Sequence, residues 1–129
     1  MIGDYEVTSG GCDTIRASDG GLEEIIRRAG HDVLLEGRLL SRESRRSAEL
    51  ARCHRLHVLR LTTPADQCAR NLVWRRRGRR DRWPAVAETV ALEHELVAAA
   101  CERLKGQATV EILKFDLALA RVQDLLGRV

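Results

Sequence analysis

The sequence predicts an α/β protein, and the order of its apolar runs is the main reason. Residues 33–35 form a short apolar run without alternation, which is typical of a strand buried on both faces of a parallel sheet. Residues 56–61 and 108–113 are also strand-like, and segments with helical spacing of apolar residues separate the three runs. Because strands and helices alternate, right-handed crossovers should produce a three-layer α/β/α arrangement with a mainly parallel sheet.

The first part of the chain is predicted to hold a strand, a helix and a second strand. A short possible strand covers residues 5–8, and a glycine turn follows it. Ser18 or Asp19 can cap a helix whose apolar residues have helical spacing, and Gly30 ends that helix. The apolar run 33–35 then provides the second strand.

The middle of the chain is predicted to place one helix on each side of strand 56–61. Residues 41–53 form the first of these helices, and Glu43 is available for a capping box with a nearby hydroxyl. After the strand, Thr63 caps the next helix and Pro64 occupies its first position, where a missing N–H costs nothing.

The last part of the chain is predicted to hold the longest helix, a strand and a final helix. Pro84 opens the long helix, which runs to about Lys105, and Gly106 terminates it. The strand 108–113 follows, and Asp116 caps the final helix.

Length and composition indicate a single globular domain, residues 1–129, of 14.5 kDa. Hydrophobic residues make up 44% and charged residues 32%, which excludes a disordered chain. No apolar run approaches the roughly 18 residues of a membrane-spanning helix, and the acidic N-terminus does not resemble a signal peptide. The four cysteines form no CxxC motif, so we expect reduced thiols and a cytoplasmic protein.

A basic stretch, residues 74–84, concentrates the positive charge of the protein. Residues 70–84 contain seven arginines against Asp81, a local charge of +6, whereas the whole chain carries +3. Such a connection suits a lid that closes on polyphosphate, because guanidinium groups pair phosphate oxygens bidentately. It also suits a nucleic-acid backbone, with Trp74 or Trp83 as stacking surfaces. A third interpretation is a solvated basic turn, exaggerated by the bias of the chain toward arginine over lysine.

Two carboxylates lie in positions that favour ligand chemistry. Glu36 follows the apolar run 33–35, and ligands of open α/β sheets bind at the carboxyl ends of strands. A carboxylate there can hold a metal ion beside a phosphate, or can simply meet solvent. Asp13 follows the Gly10-Gly11 pair, whose amides either cradle an anion or form a bare turn.

A zinc site is not indicated by the Cys and His residues. The spacing of Cys53, His54 and His57 matches no established set of zinc ligands.

Taken in this order, these parts resemble the P-loop nucleoside and nucleotide kinases, in particular phage-type kinases that act on nucleotides or on hydroxymethylated bases in DNA. The matching segments are 5–14, 33–37, 56–82 and 110–115. The resemblance implies Mg²⁺ and ATP as cofactors, with Glu36 near the magnesium ion and Asp13 facing the acceptor hydroxyl. It also implies an Arg-rich lid at about 75–83. Its catalytic cations would be Arg75, Arg76, Arg79 and Arg80, of which Arg75 and Arg79 would bind ATP.

The sequence departs from this family in one defining motif. The phosphate loop G-x-x-x-x-G-K-[ST] does not occur in it, so we expect a kinase-like fold that begins at the second strand of the family and is impaired in independent phosphoryl transfer. Strands 33–36 and 56–61 would then pair directly, or a homo-oligomer or a partner chain would complete the sheet. The alternative is a non-catalytic module that binds nucleic acid or protein through 74–83. An incomplete gene product is a further possibility.

Overall fold

The computed structural model describes residues 21–36, 42–75 and 82–127, and these form five helices and two strands. The elements are α1 (Gly21–Ala29), α2 (Ser44–Cys53), β1 (His57–Leu61), α3 (Ala65–Arg75), α4 (Trp83–Leu104), β2 (Thr109–Leu113) and α5 (Phe115–Leu125). The predicted strand at 5–8 and the glycine turn lie outside the described residues, as do residues 76–81 of the basic stretch.

The two strands pair in parallel, so the α/β class is confirmed. Their register runs from His57 opposite Thr109 to Leu61 opposite Leu113. One backbone hydrogen bond extends the ladder at each end: Thr109 N donates to Leu56 O at 3.0 Å, and Thr62 N donates to Leu113 O at 2.9 Å. The crossover between the strands consists of α3 and α4, which pack against each other.

Helix α4 is the centre of the core. It contacts α2, α3 and both strands, and its buried residues include Ala100, Cys101 and Leu104. Ala69 on α3 has no exposed surface, which is possible because a methyl side chain allows a close helix approach. The core is built from Leu, Ala, Val and Cys, as expected for a chain with four aromatic residues.

The ends of the helices agree closely with the sequence prediction. Gly30 and Gly106 follow α1 and α4 with φ of 62° and 83°, the left-handed region that glycine adopts without steric cost. Pro84 lies in the first turn of α4, where its missing N–H would have had no intrahelical partner.

Two predicted helix caps differ from the structure. Glu43 is itself the N-cap residue of α2 and makes no side-chain capping bond; its carboxylate accepts a hydrogen bond from Arg46 instead. Lys114 is the N-cap residue of α5, which places Asp116 in the first turn. A carboxylate there still interacts favourably with the helix dipole, so the acidic residue marks the helix start without capping it.

The predicted strand at 33–35 is wrong, because residues 32–36 are not paired with any strand in the described parts of the chain. Apolar content alone does not make a strand, since the backbone N–H and C=O groups need a neighbouring strand at hydrogen-bonding distance. Val33 and Leu35 are nevertheless half-buried, while Leu34 is more exposed.

Among the described helices, none is long and apolar enough to cross a membrane.

Candidate functional site

A cavity of about 820 Å³ lies between segment 32–36 and strand β1. All five residues of β1 line it, together with the whole of segment 32–36. Two further walls come from α4, through residues such as Val97 and Cys101, and from α5, through residues such as Val122. The cavity therefore occupies the side of β1 that β2 does not cover.

The walls of the cavity are mainly apolar, with charged side chains among them. Glu36, Asp32 and Asp124 contribute carboxylates, and Arg55 and Arg60 contribute guanidinium groups. Apolar walls with a few polar groups are the usual character of small-ligand sites. The combination permits a ligand that has both apolar and charged parts.

Glu36 is exposed at the end of segment 32–36 and lines the cavity, so the structure places it where a bound ligand would meet it. In the described parts of the chain, no group of three or more His, Cys, Asp and Glu side chains is arranged to hold a metal ion. A magnesium ion at Glu36 would therefore depend on ligand oxygens and water, which is how Mg²⁺ is commonly bound beside phosphates.

His57, at the start of β1, also lines the cavity. Its Nδ1 atom is buried and has no hydrogen-bond partner among the residues that the structure describes. A buried ring nitrogen without a partner is costly, so this atom is available to a ligand or to water. The sequence around His57 suggested at most a zinc ligand and does not indicate this position, because nothing local to it shows which side of the strand is open.

An ion-pair network fixes α5 beside the sheet. Arg121 donates to the carboxylate of Glu111 through Nε at 2.8 Å and through Nη2 at 2.7 Å, and it also pairs with Asp124. The hydrogen bonds from Arg121 lower the pKa of Glu111. Because Asp124 lines the cavity, this network connects β2 to the α5 wall of the site.

A second network holds α1, which leads into segment 32–36. Arg46 on α2 donates to Glu23 on α1 at 2.7 Å and to Glu43 at 3.1 Å, and only 12% of its side chain is exposed. The hydrogen bond from Arg46 lowers the pKa of Glu23. Arg42 also pairs with Glu93 on α4. Residues 37–41 lie outside the described residues. The Arg46–Glu23 pair attaches the chain before them to the helical core, and the Arg42–Glu93 pair attaches the chain after them.

Cys101 is the thiol on the cavity wall. It is buried and free, and burial raises its pKa. A thiol with a raised pKa is a poor nucleophile at neutral pH. The described walls of the cavity therefore offer binding and electrostatic groups but no activated cysteine.

The basic stretch begins at the far end of α3. Trp74 and Arg75 are exposed there, and Arg70 lies with its guanidinium carbon 5.1 Å from the centroid of the Trp83 ring. Arg75 does not line the cavity within the described residues, so the structure does not bring it together with Glu36. Arg76, Arg79, Arg80 and Asp13 lie outside the described residues, and their roles stay predictions.

A comparison with curated proteins finds similarity to a "5-hmdU DNA kinase" of Pseudomonas phage PaMx11, with 33% identity over 121 residues. The match covers 90% of this chain and 63% of the relative. The chain thus spans less than two thirds of the length of the curated relative that it matches. No protein-family model matches the chain, and no solved structure matches it significantly. The similarity supports the resemblance to phage-type kinases.

Proposed function

We propose that this chain belongs to a kinase that acts on a modified base in DNA, as the phage relative is named to do. The observation that carries the proposal is the 33% identity, which extends over 90% of the chain. Identity spread over the whole domain supports a shared fold and a related ligand more strongly than a short shared motif would.

The resemblance to phage-type kinases suggests a division of roles within such a kinase, and Glu36 is the member of this set that lines the cavity among the described residues. Glu36 on the cavity wall would lie near the magnesium ion of Mg-ATP. Arg75, Arg76, Arg79 and Arg80 would form the lid, with Arg75 and Arg79 on the ATP phosphates. Asp13 would accept the proton of the hydroxyl group that is phosphorylated.

The open side of β1 supports a sheet with more strands than the two described. A two-stranded sheet is marginal alone, and parallel sheets are normally covered on both faces. Glu111 meets Arg121 of α5, whereas Arg60, which alternates to the other face, interacts electrostatically with Cys101 of α4. This arrangement supports a three-layer, P-loop-like fold, in which a second copy or a partner chain adds a strand at β1.

The phosphate loop of P-loop kinases is a separate requirement. The motif G-x-x-x-x-G-K-[ST] does not occur in this sequence, and phosphoryl transfer depends on such a loop for positioning and charge stabilisation. We therefore expect the chain by itself to bind ligands but to transfer the γ-phosphate slowly.

Paired DNA duplexes that differ in one hydroxyl group test the proposal. One duplex carries 5-hmdU at a single position, and the other carries thymidine there. We expect the chain to bind the 5-hmdU duplex about fivefold more tightly, because a recognised hydroxyl contributes about one hydrogen bond. Equal affinity for the two duplexes, together with no binding of Mg-ATP, would contradict the proposal.

The second candidate function is a DNA-binding module without phosphoryl transfer. The charge of +6 over residues 70–84 favours it, since this charge needs no phosphate loop to contact DNA. For such a module, affinity for the two duplexes would be equal and would fall steeply between 50 and 200 mM salt, on the order of a thousandfold for six phosphate contacts.

A further inference from the structure

The end of α3 exposes a tryptophan to an unusual extent. Trp74 is 84% exposed, although tryptophan is normally well buried on average. The side of α3 that packs on α4 buries Ala69 completely, so the contact between the helices does not depend on Trp74. Exposure of an indole to water is unfavourable in free energy. A flat ligand that stacks on the ring would remove that surface from water.

A cation lies on the same side of α3 as Trp74, and this cation contacts a second indole. Arg70 precedes Trp74 by four residues on α3, so the two side chains project from the same side of the helix. The Arg70 guanidinium carbon is 5.1 Å from the centroid of the Trp83 ring, which is a cation–π distance. Trp74, Arg70 and Trp83 thus form one surface where α3 ends and α4 begins, here called the tryptophan surface.

The charge of the chain segment that holds these three residues selects the ligand. Residues 70–84 carry +6 while the rest of the chain carries −3, and Arg75 and Arg82 are exposed at the edges of the described residues. Aromatic rings among cations suit a single nucleic-acid strand, because arginines meet its phosphates and a base stacks on a ring. Within a duplex both faces of a base are covered by its neighbours, so stacking on Trp74 requires an unpaired base.

We propose that the tryptophan surface binds an unpaired base of single-stranded DNA, stacked on Trp74. The choice of DNA rests on the proposed function, and the surface adds a specific state of that substrate: a strand opened near the modified base. Arg70 holds the adjacent phosphate or lies beside the base, while its contact with Trp83 limits its rotamers.

The test uses fluorescence anisotropy of a labelled oligo-dT strand and of the same strand annealed to its complement, each at two salt concentrations. We expect Trp74→Ala to weaken binding of the single strand about tenfold, the size of one lost base stack. The salt dependence should not change, because the indole carries no charge. Trp74→Phe should restore most of the affinity. Phe115→Ala is the matched control, since it removes another exposed aromatic ring, 73% exposed on α5, and should have no effect.

Wild-type affinity in Trp74→Ala would overturn the proposal, as would an equal loss in Phe115→Ala or a failure of Trp74→Phe to restore binding. Equal competition by poly-glutamate would also overturn it and would favour an acidic protein partner. The assay uses unmodified DNA and no ATP. Equal affinity for DNA with and without 5-hmdU would therefore count against the proposed kinase function. It would not affect the interpretation of the Trp74 variants.

Discussion

At the scale of single residues, Glu36 lines the cavity, although the strand that was expected to place it at a sheet edge does not form. Its order in the sequence, after an apolar run, indicated a ligand edge, and the structure places it on the cavity wall. Val33 and Leu35 of the apolar run are half-buried and line the same cavity. A carboxylate at such an edge can act without belonging to a cluster of metal ligands.

We expect Glu36→Gln to weaken binding of Mg-ATP about tenfold, because the amide keeps the size of the side chain and removes the charge near the metal. Isothermal titration measures the affinity with magnesium and, after chelation, without it. Glu95→Gln is the control, since Glu95 is exposed on α4 and does not line the cavity. An equal loss in both variants, or a loss that persists without magnesium, would contradict the role of Glu36.

Sequence reasoning could not have found the other polar groups of this site. His57 and Asp124 are 67 positions apart in the numbering and meet the same cavity through β1 and α5. Neither belongs to a local motif, so their proximity depends on how α5 packs beside the sheet. Arg75 shows the reverse case, because the resemblance implied that it binds ATP, and among the described residues it does not line the cavity.

At the scale of elements, the attachment of α5 depends on a carboxylate whose charge varies with pH. The hydrogen bonds from Arg121 lower the pKa of Glu111 below its ordinary value, so folding favours the charged form. The stabilisation is complete above the ordinary carboxyl pKa, about 4.3. It is lost as the pH falls through the lower pKa of the folded protein.

We therefore expect the difference in free energy of unfolding between wild type and Glu111→Gln to be constant from pH 7 to about 5 and to shrink below about 4. Urea denaturation followed by circular dichroism at each pH measures it. Glu102→Gln is the control, because Glu102 and its partner Lys105 are both mostly exposed within one helical turn. A difference for Glu111→Gln that did not change with pH would contradict the ionic attachment of α5.

At the scale of the whole molecule, the side of β1 away from β2 has no paired strand among the described residues. In a parallel ladder, alternate residues direct both backbone groups to the same side. Leu56 O and Thr62 N bond toward β2, so the N–H groups of His57, Leu59 and Leu61 point away from it. The described residues provide no strand for these groups, and an unpaired edge favours addition of another strand.

We expect sedimentation to detect self-association at micromolar concentration, and Leu61→Pro to reduce it strongly. Proline at this position removes an N–H on the open side and leaves the hydrogen bonds to β2 in place. Leu61 is 40% exposed, so Leu61→Ala serves as the control for the lost side chain and should still associate. If the wild-type chain stays monomeric, a second copy does not supply the added strand. A different partner chain would then be the remaining candidate.

The sequence by itself determined the order of the elements from α2 to α5, the helix ends at Gly30, Pro84 and Gly106, and the resemblance to phage-type kinases, because each depends on local backbone preference or on the order of motifs. Tertiary structure decided which apolar runs became strands. β1 pairs with β2, whereas residues 33–35 are unpaired and line a cavity. A strand exists only through hydrogen bonds to a neighbour, and no local pattern states whether that neighbour is present.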